Sequence, residues 1–165
     1  AALGELKAKE SVPELVTLLG DKDWDVRANA AEALGRLGAK EAAPELVKLL
    51  RDEDWYVRRE AAFAVGRLGA QDAVAKLEVI AKDPERKDVR LAAQFALAKL
   101  TGKDISQEML KGLQDEDEGV RLLSIRALGE LGLKTAESEL RKLLEDDNMF
   151  VRKAAQAALE KLAAP

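Results

Sequence analysis

Apolar residues along this chain recur at spacings of three, four and seven, with charged residues between them. Leu15, Val16, Leu18 and Leu19 form one such run, and Leu46, Val47, Leu49 and Leu50 form another. Each predicts a short helix with one apolar face. A longer run follows: Val26, Ala30, Ala33, Leu34 and Leu37 again share one helical face. Pro13 and Pro44 fall near the starts of the short helices, where a missing N–H costs little. Asp23, Asp54, Asp117 and Asn148 each stand three residues before a Val and predict N-caps of the long helices. In the third case Asp83 followed by Pro84 predicts the same start by another route. Gly38, Gly69, Gly102 and Gly132 predict helix ends in the left-handed conformation.

The pattern is periodic. Val-Arg recurs at 26–27, 57–58, 89–90, 120–121 and 151–152, and an Asp precedes each pair, at Asp21, Asp52, Asp83, Asp115 and Asp146. Comparing the two series places one extra residue between Asp83 and Val89. The units read 8–38, 39–69, 70–101, 102–132 and 133–163, with a partial unit over 1–7 in which Gly4 and Leu6 stand where Gly35 and Leu37 stand. All of them fall in one domain over 1–165. The first two units match at 21 of 31 positions. A helix pair of this length cannot bury its own apolar face, so the units must stack. An Ala-rich second helix permits close approach between neighbours. The fold class predicted is all-α.

The run from Asp21 to Gly38, Asp-x-Asp-x-x-Val-Arg-x-x-Ala-Ala-x-Ala-Leu-Gly-x-Leu-Gly, resembles the short HEAT repeats associated with phycobilisome lyases. The resemblance extends over about 156 of the 165 residues, the five full units. The chain is similar also to engineered α-helical repeat scaffolds. Ala98 and Glu160 depart from the family pattern where the helix Gly stands, and Ala75, Gln107 and Ser138 where the first two units have Pro. The resemblance implies a right-handed α-solenoid of stacked two-helix HEAT-like repeats, with one face of the second helices lining a concave surface. It does not specify an activity, because the same repeat serves lyases, hydroxylases, DNA glycosylases and adaptors.

Composition narrows the chemistry. With no Cys, disulfides, thiolate metal sites and thiol nucleophiles are excluded. With no His, the commonest general base and metal ligand is missing, and the His-Glu pairs that hold iron in deoxyhypusine hydroxylases of similar repeats have no counterpart. Gly-rich phosphate loops and Gly-x-Ser-x-Gly elbows are absent too. Neither a cofactor nor a metal is expected. A net charge of -4 disfavours nucleic acid as partner. No apolar run approaches the roughly 20 residues that span a bilayer, and the first ten residues lack the pattern of a signal peptide, so a cytoplasmic protein is expected.

Three constellations remain. The Asp and Arg series share one phase and predict a structural ladder: Asp21, Arg27, Asp52, Arg58, Asp83, Arg90, Asp115, Arg121, Asp146 and Arg152. In it, each guanidinium serves a turn and a carboxylate of its own or the next unit. Asp21, Asp23, Asp25 and Glu32 imitate an EF-hand loop, but Val26 stands where that loop needs Gly, so helix capping is the expected role. The six aromatics lie off the apolar phase of both helices. Trp24, Trp55, Tyr56, Phe63, Phe95 and Phe150 fall on one stripe of the second helices, with Arg59, Arg67, Leu91, Leu122, Arg126 and Met149. By the resemblance, that stripe lines the concave face. Aromatics with Arg and Met match the composition of protein interface cores. The function expected is therefore a non-catalytic protein–protein interaction scaffold, whose partner the sequence does not name. The alternatives are a subunit of a bilin lyase or isomerase, and a nucleic-acid binder stacking bases on Tyr56, Phe63 and Phe95 beside Arg59, Arg67 and Lys99. The absence of an evident polar cap at either end predicts end-to-end self-association or flanking repeats.

Overall fold

The computed structural model describes residues 10–164. The partial unit over 1–7 and the start of the first full unit lie outside them. Every regular element among the described residues is helical, and short and long helices alternate. The helices are α1 (Val12–Leu18), α2 (Trp24–Leu37), α3 (Ala43–Leu49), α4 (Trp55–Leu68) and α5 (Val74–Ile80). They continue as α6 (Lys87–Thr101), α7 (Ser106–Gly112), α8 (Glu118–Leu131), α9 (Glu137–Lys142) and α10 (Met149–Ala163). No helix among the described residues is long and apolar enough to cross a membrane.

The local signals work through identifiable bonds. Asp23 Oδ1 accepts from Asp25 N at 2.9 Å, Asp54 Oδ1 from Tyr56 N at 2.7 Å and Asp117 Oδ1 from Gly119 N at 2.7 Å. Asn148 Oδ1 accepts from Phe150 N at 2.7 Å, so each of these four caps its long helix. The third start differs from the expectation. Asp83 does accept backbone N–H bonds, from Glu85 at 2.8 Å and Arg86 at 3.2 Å, but they close a turn. The helix begins only at Lys87, with Arg86 extended before it and no side-chain cap. The extra residue of this unit is absorbed there. At the other end Gly38 has φ of 68°, and Ala39 N bonds back to Leu34 O, the six-to-one closure that a left-handed residue allows.

The described helices fall into two compact units, divided between residues 103 and 104. In the first, α2 packs on α4 and α4 on α6, with α1, α3 and α5 behind them. Its core holds Leu34, Leu46, Leu50, Val57, Val65, Leu77 and Val89 among many buried Ala. In the second, α8 packs on α10 over Met109, Leu113, Ile125, Leu128, Leu140 and Val151.

Neighbouring long helices meet at Gly-to-Ala contacts. A Cβ placed on Gly35 would lie 2.8 Å from Ala64 Cα, and one on Gly66 would lie 2.7 Å from Ala96 Cα and 3.0 Å from its Cβ. At Gly129 the nearest atom is Ala158 Cβ at 3.1 Å. Gly in a helix costs up to about 1 kcal/mol against Ala. Here overpacking of about 1–3 kcal/mol outweighs that gain. Gly66→Ala is thus expected to lower stability by about 1–2 kcal/mol in urea melts, and Gly129→Ala by less. A Gly66→Ala protein as stable as the parent would show that parting the helices costs no more than the helix propensity gained, about 1 kcal/mol.

Candidate functional site

The first unit gathers an aromatic and arginine cluster at the N-terminal ends of α2, α4 and α6. Capping by Asp23 and Asp54 sets the helix starts, which puts Trp24 and Trp55 in the first helical positions and Tyr56 in the second. The Trp24 and Tyr56 rings meet edge to face at 5.7 Å between centroids, and Trp55 meets Tyr56 at 5.6 Å. Arg59 lies over the Tyr56 ring at 4.0 Å from its centroid and Arg86 over Trp55 at 3.5 Å. Trp24 is 47% exposed, and Trp55, Tyr56 and Arg59 are half-buried.

Two buried carboxylates hold the arginines. Arg86 donates to Asp88 twice, Nε to Oδ1 at 3.0 Å and Nη2 to Oδ2 at 2.9 Å. Arg59 Nε donates to Glu60 Oε1 at 3.0 Å, and its Nη1 lies 3.8 Å from Asp88 Oδ2. These four residues balance two positive and two negative charges beside the rings. Arg86 was not among the residues singled out from the sequence. The only trace there is the extra residue between Asp83 and Val89, which lengthens the turn and brings Arg86 over Trp55.

Phe63 and Phe95 require a correction. Both point inward, at 1% and 0% exposure, with ring centroids 4.6 Å apart. A long helix has neighbours on both flanks, and the Gly66–Ala96 contact draws α4 and α6 so close that the two rings cover each other. Leu91 is buried as well. Arg67 lies over Phe63 at 5.9 Å. In the second unit Leu122 and Arg126 are half-buried, with Arg126 Nε 3.5 Å from Glu130 Oε1. Met149 and Phe150 are exposed and have no aromatic neighbour among the described residues.

The Asp and Arg series lies behind the helix starts. Arg27 donates Nε to Asp52 Oδ2 at 2.9 Å and Nη2 to Asp52 Oδ1 at 2.8 Å. Its Nη1 serves Asp21 O at 2.9 Å and Lys22 O at 3.1 Å. The hydrogen bond with Asp52 raises the Arg27 pKa above its already high ordinary value. Arg121 pairs with Asp146 more loosely, Nη2 donating to Oδ1 at 3.4 Å with Nε 3.2 Å from Oδ2, and its Nη1 donates to Asp115 O at 2.8 Å. Arg58 donates to Asp52 O and Glu53 O, Arg90 to Asp83 O, and Arg152 to Asp146 O and Asp147 O. Asp83 is held below the usual carboxylate range, chiefly by the Glu85 N–H, with Arg58 and Arg90 adding to it. Asp21 and Asp23 accept the N–H groups of Asp23 and Asp25. No group of three or more acidic residues is placed to hold a metal among the described residues.

A family model described as HEAT repeats matches residues 1–51, 12–98 and 106–165. The complex of CpcE and CpcF of phycocyanin lyase from Nostoc sp. PCC7120 is similar in fold, with a TM-score of 0.54 and 22% identity over 96% of this chain and 84% of that one. An engineered protein has a TM-score of 0.50 and 24% identity over 94% of this chain and 82% of its own. These identities carry the fold alone. No curated protein matches the chain. Alternating short and long helices, Asp-capped starts, and a family match over most of the length agree, and the chain belongs to the HEAT-repeat family.

Proposed function

We propose that this protein is a non-catalytic interaction scaffold that binds a protein partner through the rim formed by Trp24, Trp55, Tyr56, Arg59 and Arg86. The observation behind this is the ring cluster itself. Two aromatics of α4, Trp55 and Tyr56, sit beside a half-exposed Trp24 of α2, and their guanidinium neighbours are held by Glu60 and Asp88. Side chains already fixed lose little entropy on binding, and aromatic and Arg anchors supply most interface energy. The burial of Phe63 and Phe95 removes two of the three platforms on which a nucleic-acid reading depended. The bilin lyase reading has a likeness of fold behind it and no residue.

Self-association through the outer face of α10 is disfavoured by its chemistry. Glu160 stands where Gly35, Gly66 and Gly129 allow close approach, and Gln156 Nε2 donates to Glu160 Oε1 at 2.8 Å. Lys153 is exposed alongside.

The test compares proteins captured from source-cell lysate by wild type, Trp24→Ala and Tyr56→Ala. Trp24→Ala is expected to keep its stability within about 1 kcal/mol and to lose its partner, an anchor of this kind being worth about 2 kcal/mol or roughly 30-fold in Kd. Capture profiles unchanged in both variants would remove the rim from the binding surface.

A further inference from the structure

The second unit carries a cleft at a place that is filled in the first unit by that unit's own side chains. Six residues after the repeated Val, α4 and α6 place Phe63 and Phe95, and the two rings close the furrow between those helices. The same place in α8 and α10 is held by Arg126 and Ala157. The furrow there stays open as a cavity of about 160 Å³ lined by Ile125, Gly129, Ala154 and Ala157, with Arg126 and Lys161 also on its wall. Its width is set by the backbone. Gly129 and Ala158 are already in contact, the Cβ of the one that a side chain would add falling 3.1 Å from the Cβ of the other. The helices cannot move together to close the gap, so the cleft is preformed.

Its chemistry selects an occupant. The floor is apolar, and a cavity of about 150 Å³ accepts a benzene-sized group. Both ionisable groups on the wall are cations. Arg126 keeps Glu130 beside it, while Lys161 is exposed and makes no ion pair with another described residue. An apolar group and a negative charge must therefore arrive together within one short unit. The last residue of a peptide meets that condition, because its side chain and its free α-carboxylate branch from one carbon.

We infer that the α8–α10 cleft is a docking site for the C-terminal residue of a partner peptide, with a Leu or Phe side chain entering between Ile125 and Ala157 and the terminal carboxylate meeting Arg126 and Lys161. This site is independent of the aromatic rim in the first unit, and either can fail without the other.

Fluorescence anisotropy with labelled six-residue Gly/Ser peptides tests it. The probes end in Phe as the free acid, in Phe as the amide, in Ala as the free acid, or in a Phe amide preceded by Asp. The free-acid Phe peptide is expected to bind wild type with Kd on the order of 100 µM. The amide and Ala peptides should bind at least tenfold more weakly. Ala157→Phe, which writes into α10 the residue present in α4 and α6, should bind at least tenfold more weakly while melting no lower than wild type. Lys161→Ala should weaken binding about threefold to tenfold, and added salt should weaken the wild type. Trp24→Ala should bind these peptides as wild type does. Absence of saturable binding up to about 2 mM would overturn the inference. So would equal binding of acid and amide, or undiminished binding by Ala157→Phe. An Asp-Phe amide as tight as the free acid would overturn the assignment to a chain terminus.

Discussion

Truncation of Phe63 or Phe95 to Ala is expected to lower the free energy of unfolding by about 3–5 kcal/mol. Each ring is almost fully buried, and each is the other's neighbour at 4.6 Å. Removing one strips about a benzene's volume from a place where α4 and α6 already touch at Gly66 and Ala96, so the helices cannot slide together to refill it. The equivalent residue of α2 is Glu32, half-buried and 3.7 Å from Arg36. Glu32→Ala is expected to change stability by less than about 1 kcal/mol. The double variant of Phe63 and Phe95 should lose less than the sum of the two singles, because both open one shared cavity. Urea melts of the four proteins decide the matter. A Phe63→Ala protein within about 1 kcal/mol of wild type would show that the ring does not carry the packing between these helices.

Arg27→Ala is expected to cost about 3 kcal/mol. One guanidinium makes four bonds, two to the Asp52 carboxylate and two to the Asp21 and Lys22 carbonyls. The Arg27 and Asp52 side chains are only 10% and 9% exposed. Deleting the cation leaves a carboxylate and two carbonyls with little water to replace it, which is the costly direction for such pairs. Arg27→Lys should recover only part of the loss, since an ammonium cannot span the planar fork. Arg152 is the internal comparison. It donates to Asp146 O and Asp147 O and makes no ion pair with a described residue, so Arg152→Ala should cost about 1 kcal/mol. Denaturant midpoints for the three variants test the order. Equal losses at Arg27 and Arg152 would mean that the carboxylate of the following turn contributes nothing.

These two predictions also mark where sequence reasoning reached and where it stopped. The helix starts were legible because a cap is a local bond: Asp54 or Asn148 meets an N–H two residues on, whatever surrounds it. The left-handed ends at Gly38 and Gly132 were legible for the same reason, since only Gly takes that conformation cheaply. The shared phase of Arg27 and Asp52 was visible as a 31-residue period, although their partnership needed coordinates to count its bonds. The third helix start was misread because Asp83–Pro84 can close a turn as well as open a helix, and the local pattern does not choose.

The chain's own pattern determined that this protein is a series of short and long helices with a common phase, and which residues share each face. Tertiary structure decided what each face meets. The repeat phase predicts one stripe for Trp24, Phe63 and Phe95, yet Trp24 is 47% exposed and the two Phe rings are buried. Periodicity measures angle around one helix, whereas burial depends on the distance to the next. That distance was set by Gly and Ala on a different face, Gly66 against Ala96 and Gly129 against Ala158. Close approach closed the furrow where both helices carry Phe, and left it open where they carry Arg126 and Ala157.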